Sequence, residues 1–265
     1  MRIIFKLALA SIWNRRIVAS LTVLTIALSV CMLLGLNHIV DSTKKGFGKT
    51  ISGTDLIIGA RTSPVDLMLY SVFGIGRPTN TMSWETFQHM ATHSAVKWSV
   101  PISLGDSHKG FRVVGTTGDF FRYYQYGRGN QVRFKTGAAF SSLFDVVVGS
   151  DVAKKKGYRL GDQIELAHGA GGVEAEIHEG HPFTLVGILS KTGTPVDQSV
   201  YVSLGAIEAI HSGNSQTEPS VITAAYLGLH SKIQIFGLQR LINTYPKEAL
   251  VAVMPGIALQ SLWKS

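Results

Sequence analysis

The sequence predicts an α+β protein: one N-terminal transmembrane helix, then an extracytoplasmic split βαβ part carrying an inserted, mostly-β part. Three observations predict it. Residues 17–39 form one uncharged apolar run. Strand-like and helix-like segments alternate between 40 and 105 and again between 218 and 256. Between these halves, from 106 to 217, the strands turn short and glycine-punctuated.

The apolar run is IVASLTVLTIALSVCMLLGLNHI, Ile17 to Ile39, without Asp, Glu, Lys or Arg. At ~1.5 Å per residue it reaches roughly 34 Å, enough to cross a ~30 Å hydrocarbon core. It is longer than the apolar core of a signal peptide, about 7–15 residues. The one Ala-x-Ala, Ala8-Leu9-Ala10, precedes it, and Val30 stands before Cys31 where a lipoprotein site needs a small residue. The run therefore reads as an uncleaved anchor. Arg2, Lys6, Arg15 and Arg16 precede it with no acid among them, and Asp41, Lys44, Lys45 and Lys49 follow. A long following domain is translocated largely regardless of charge, so the basic flank places the N-terminus in the cytoplasm.

Residues 1–16 read as a cytoplasmic or interfacial helix. Arg2 and Lys6 are spaced i,i+4, Trp13 falls at headgroup level, and Arg15 and Arg16 complete the flank anchors. Within the run, Ala27, Cys31 and Gly35 recur every fourth residue, a spacing that lets another helix approach closely. Thr22, Thr25 and Ser29 add polar atoms for bonds across helices.

A net charge of +8 raises nucleic-acid binding, and its distribution excludes it. The first 50 residues hold seven Lys/Arg and one Asp, a net +6; the other 215 hold 18 basic and 16 acidic residues, a net +2. The basicity belongs to the membrane flank. Cys31 is the single cysteine, so the outer part folds without a disulfide.

Past the anchor, Asp55 to Ile58 reads as a buried strand, and Pro64 opens a helix to about Phe73. Ser83 caps a helix ending near His93, and Val96 to Leu104 is a strand. The chain closes on a second such unit: strand Val221–Leu229, helix Ser231–Asn243, strand Ala249–Met254. Two such units pack as one split sheet, with helices expected on one face. The middle offers strands at Phe111–Thr116, Val146–Gly149, Gln163–Ala167, Phe183–Leu189 and Ser199–Ser203, and short helices at Asp151–Lys156 and Leu204–His211.

The chemical motifs are weak. Gly46 to Thr50 mimics the end of a P-loop, but Thr43 stands where the motif needs glycine, and a membrane helix precedes it. Ser94-Ala-Val-Lys97, Lys191-Thr-Gly193 and Ser212-Gly-Asn214 mimic a penicillin-recognising serine enzyme, with the last two in the wrong order. His168, His178 and His181, with Glu174, Glu176 and Glu179, are dense in metal ligands; the spacing matches no zinc motif, and a polar loop explains it. Asp106, Asp145 and Asp162 sit where turns explain them. No catalytic, cofactor or metal residue is assigned.

The stretches LALASIWNRRIVASLTVLTIALSV, GTDLIIGARTSPVDLMLYSVFGIGRPTN, VPISLGDSHKGFRVVGTTGDFF, VVVGSDVAKKKGYRLGDQIELAHG and FTLVGILSKTGTPVDQSVYVSL occur in that order. In them the chain resembles the permease subunits of MacB/FtsX-type ABC transporters. The resemblance implies a bacterial inner-membrane protein with its main domain in the periplasm. It implies no cofactor in this chain, a separate or fused cytoplasmic ATPase, pairing with a second permease copy or homologue, and a periplasmic adaptor as a further partner. ATP-driven closure in the cytoplasm would move the outer domains, an action called mechanotransmission. The resemblance implies three further membrane helices, with residues 257–265 approaching the place of the second; they are not in these 265 residues, so the reading is of a fragment, a truncated frame or a split permease. The alternatives are a single-pass anchored binding or sensor domain and, more remotely, an anchored hydrolase using Ser94 and Lys97.

Overall fold

The structure is a computed structural model that describes residues 2–48, 50–168, 182–212 and 218–262. The chain divides into two compact units at Phe47/Gly48. The first is helical. Helix α1 (Arg2–Asn14) and helix α2 (Arg16–Gly48) meet at Arg15, and backbone bonds Arg15 N–H to Ser11 O and Ala19 N–H to Arg15 O carry the ladder across the junction. Residues Arg16–Ser42 are long and apolar enough to cross a membrane. The helix runs nine residues beyond the predicted end at Ile39, through Gly46, because nothing after Asp41 breaks the ladder. At ~1.5 Å per residue its 33 residues reach roughly 50 Å.

In the second unit, β1 (Leu56–Ala60) leads to α3 (Pro64–Met68), which continues as a π-helical turn (Leu69–Phe73). Then come β2 (Met82–Ser83), α4 (Trp84–Ala91), the long β3 (Val96–His108) and β4 (Phe111–Thr116). Ser63 and Ser83 cap their helices, accepting from Val65 N–H and Thr86 N–H. Ser83 also donates through its hydroxyl to Glu248 at 2.8 Å, tying the start of α4 to the last loop of the chain.

The middle holds α5 (Asp119–Tyr123), β5 (Gln125–Tyr126), β6 (Asn130–Gln131), β7 (Phe134–Gly137), β8 (Asp145–Val148) and α6 (Ser150–Lys156). These are followed by β9 (Gln163–Ile164), β10 (Ala167–His168), β11 (Phe183–Leu189), β12 (Ser199–Ser203) and α7 (Leu204–Ser212). The chain closes with β13 (Val221–Ile222), β14 (Ala224–Leu229), α8 (Ile235–Asn243), β15 (Leu250–Val253) and α9 (Pro255–Leu262).

Among the described residues one mixed sheet runs β15-β1-β14-β3-β4-β12-β8-β11-β7. Its first four strands interleave the two chain halves: β14 pairs antiparallel with both β1 and β3, and β1 pairs antiparallel with β15. Numbered by their own order these strands read 4-1-3-2, the split βαβ arrangement of ferredoxin-like folds. Strand β3 is shared. Its first part, through Ile102, pairs with β14; from Ser103 onward it pairs with β4, across a register shift between Leu104 and Ser107, and at Asp106 and Ser107 with β10.

Two apolar clusters hold the sheet. One gathers Leu56, Ile58, Met90, Leu227, Leu238 and Ile242 from β1, β14, α4 and α8. The other gathers Val146, Val148, Val152, Phe183, Val200 and Ile207 from β8, β11, β12, α6 and α7. Helices cover both faces of the first sheet half, not one as the sequence pattern implied. Every residue of β1 is buried, and a Cβ added at Gly59 would lie 3.0 Å from Leu67 of α3. A strand apolar on both faces needs cover on both.

Candidate functional site

The first candidate is the membrane-length helix. Ala27, Cys31 and Gly35 are exposed along it, and a Cβ added at Gly35 would meet nothing within 4 Å. The hydroxyls of Thr22, Thr25 and Ser29, read from the sequence as polar atoms for bonds across helices, donate within their own helix. They bond the carbonyls four residues back, Val18, Leu21 and Thr25, at 2.8–2.9 Å. A hydroxyl beside its own helix finds that acceptor first. Of the flank residues, Lys6, Trp13 and Arg16 line one hollow around the α1–α2 junction. Arg15 is exposed at the junction itself, and of Arg2 the structure describes the backbone alone.

The second candidate was not read from sequence: a cleft around Arg112 of β4. The π-turn creates its acceptor. In an α-helix the N–H of Gly74 would bond Tyr70 O, but both Gly74 and Ile75 bond Leu69 O instead. The freed carbonyls go to side chains on the sheet. Arg112 Nη1 donates to Tyr70 O at 2.7 Å, and the Tyr226 hydroxyl donates to Ser71 O at 2.6 Å. Gly74, at φ +69°, is required here: a Cβ would lie 2.9 Å from the guanidinium carbon.

Tyr124, Tyr201 and Tyr226 are almost wholly buried beside this guanidinium. Burial raises the pKa of all three phenols, and the positive charge of Arg112 opposes the rise in each. Tyr70 is pushed up to about 12, first by burial and then by Asp66. All four therefore stay neutral hydrogen-bond donors at any physiological pH. Two cavities flank Arg112, about 610 and 750 Å³. Arg77, Asn80 and Asp106 line the first; Lys155, Thr194 and Asp197 line the second. The cleft offers hydrogen-bonding groups and charge.

The remaining sequence candidates have structural explanations. Lys191, Thr192 and Gly193 form a turn on the buried Asp197 carboxylate, which accepts from Thr192 N–H at 2.8 Å and Gly193 N–H at 2.7 Å. Lys191 itself pairs with Asp151 at 2.8 Å. Ser94 lies in the turn after α4 and Lys97 on β3, both exposed, and three strands separate β3 from β11, which precedes Lys191. Ser212 ends α7, while Gly213 and Asn214 lie outside the described residues. So do His178, His181 and the three glutamates near them, and His168 is described only as the end of β10. Among the described residues no group of three His, Cys, Asp or Glu could hold a metal. Asp145 accepts from Ser141 N–H and Ser142 N–H, and Asp162 from Arg159 N–H, as turns require.

One buried imidazole went unnoticed in the sequence. His108 lies between the Glu165 carbonyl and the Tyr158 hydroxyl, each at 2.6 Å. A carbonyl only accepts, so Nδ1 carries the proton and Nε2 accepts from Tyr158. Burial lowers its pKa; the Glu165 carbonyl works the other way and is outweighed, with Lys109 and Lys156 adding to the lowering. His108 is a neutral structural link between β3 and the segment after α6.

Comparison with known proteins agrees with this architecture. The MacB-like periplasmic core domain family matches residues 19–243. The crystal structure of the periplasmic region of MacB from Actinobacillus actinomycetemcomitans superposes with a TM-score of 0.53 at 12% identity, over 82% of this chain and 95% of that one. The extracellular domain of the noncanonic ABC-type transporter YknZ from Gram-positive bacteria gives a TM-score of 0.47 at 15% identity, over 76% of this chain and 99% of that one. No curated protein matches in sequence. With the family matched across most of its length, and a mixed sheet that follows one membrane-length helix in the chain, this chain belongs to the MacB-like periplasmic core domain family of ABC transporter permeases.

Proposed function

We propose that this chain is the N-terminal part of a permease that couples ATP hydrolysis by a cytoplasmic partner to movement of its outer domain, for export or release of a substrate. One observation carries the reading beyond family membership: α2 is a single 33-residue helix. A membrane anchor needs only about 20 residues. The extra turns add roughly 20 Å of stiff rod, which passes a displacement on where a flexible tether would absorb it. The N-terminus is cytoplasmic and the domain periplasmic. Arg2, Lys6, Trp13, Arg15 and Arg16 anchor the inner flank. The Ala27, Cys31 and Gly35 stripe packs against a membrane helix, in a dimer with a second permease copy or homologue. The segments 40–105 and 218–256 form one subdomain, and the inserted 106–217 meets substrate or a periplasmic adaptor.

Affinity purification of the tagged chain from native membranes in mild detergent tests this. An ATP-hydrolysing subunit is expected to come with it in stoichiometric amount. Recovery of the chain without any nucleotide-hydrolysing partner, across several detergents, would contradict the permease reading and favour an anchored binding domain.

A further inference from the structure

A third cavity, about 660 Å³, lies between β7, α6 and the turn that follows α6. Lys135, Lys154, Arg159 and Lys191 line it, with Asp151 as the one acid. Lys191 and Asp151 neutralise each other through their 2.8 Å ion pair. Lys135, Lys154 and Arg159 remain, all exposed, and no ion pair engages them among the described residues. Three cations of one sign around a concave surface concentrate anions there.

Part of the remaining lining is apolar. Leu160, 46% exposed, and Ile188 give it a greasy side. Ser150 also lines the cavity. Its hydroxyl is buried with no hydrogen-bond partner among the described residues. That oxygen is closed to solvent and so to a ligand in the cavity; the charged and apolar side chains define the site. The volume falls within the usual range for small-molecule pockets, about 300–1,000 Å³.

We infer that this cavity binds a small amphipathic anion, its acidic group among Lys135, Lys154 and Arg159 and its apolar body against Leu160 and Ile188. Charge without the greasy side would serve an inorganic anion; the greasy side without charge would serve a neutral lipid. Both together select a carboxylate, sulfate or phosphate on an apolar scaffold. The site adjoins the Arg112 cleft, with the Asp151–Lys191 pair as their common wall, and is independent of the transport reading, since it requires neither an ATPase nor a second copy.

Calorimetric titration of the full chain in neutral-lipid nanodiscs tests it, with 1-naphthyl sulfate as probe. The sulfate ester is expected to bind in a 1:1 ratio, and 1-naphthol and inorganic sulfate each about tenfold more weakly or not at all. The double variant Lys154→Gln/Arg159→Gln should weaken binding about tenfold, and Leu160→Ser should weaken it without altering its salt dependence. All three side chains are exposed, so melting temperatures should stay near the parent value. The proposal is overturned by no binding of the ester, by binding unchanged in the double variant, or by inorganic sulfate binding equally well. Tighter binding of an acidic peptide than of the ester would overturn it too, and mark the surface as a protein-docking patch.

Discussion

Replacing Gly149 by alanine is expected to lower the melting temperature of the outer unit by roughly 5–10 °C. Gly149 joins β8 to α6, is buried, and has an ordinary φ of −66°. Conformational freedom is not what it supplies. A Cβ there would lie 2.3 Å from the Val196 carbonyl oxygen and 2.5 Å from that of Asp197. These are backbone atoms, so no side-chain rotation can make room. The loop would have to lift, losing the 2.9 Å bond from Gly149 N–H to Ser199 O that fixes β8 against β12. Overpacking of this kind costs about 1–3 kcal/mol, and more where the backbone must move. Gly237→Ala in α8 is the control of opposite sign. Nothing lies within 4 Å of its added Cβ, and the residue is inside a helix, so about 0.5–1 kcal/mol of stabilisation is expected. Circular dichroism melts of the two variants beside the parent decide the point.

The second large effect is expected at Asp197, 2% exposed between the Lys191–Gly193 turn and β12. Its carboxylate accepts from Thr192 N–H, Thr192 Oγ1 and Gly193 N–H at 2.7–3.0 Å. Asp197→Ala removes three charge-assisted bonds and should cost about 2–4 kcal/mol. Asp197→Asn keeps the shape but offers a single accepting oxygen, so its cost should fall between alanine and parent. Amide hydrogen exchange is the specific readout. Thr192 and Gly193 should lose protection in both variants, while Phe183–Leu189 of β11 keeps it in the asparagine variant. Unchanged exchange at Thr192 would show that the turn does not depend on this carboxylate.

What the sequence made legible was whatever local pattern decides. FTLVGIL, a short apolar run, is a strand with the predicted bounds, its residues alternating buried and half-buried. Ser83 was legible as a cap because the capping bond reaches only three residues. The Arg112 cleft was illegible because its causes are distant. Whether Gly74 bonds Leu69 or Tyr70 depends on donors 42 and 155 positions from their acceptors, and no window on LMLYSVFG contains them. The inner end of the split sheet was misjudged for a related reason. LIIGA reads as apolar on both faces, yet that alone does not say that α3 would return to cover the second one. Strand β7 and helix α5 carry too few periodic residues to stand out, at four and five residues.

Everything about the role of the chain requires α2 to cross the bilayer with the folded unit on the outer side. In a Cys31→Ser background, Lys6→Cys and Arg77→Cys each supply one thiol at an exposed position, one before the helix and one on the outer unit. Intact cells with a permeabilised outer envelope are treated with a membrane-impermeant maleimide, before and after lysis. Labelling at position 77 in intact cells, with position 6 reacting only after lysis, is the predicted result. Labelling at position 6 in intact cells, with position 77 protected until lysis, would contradict the account.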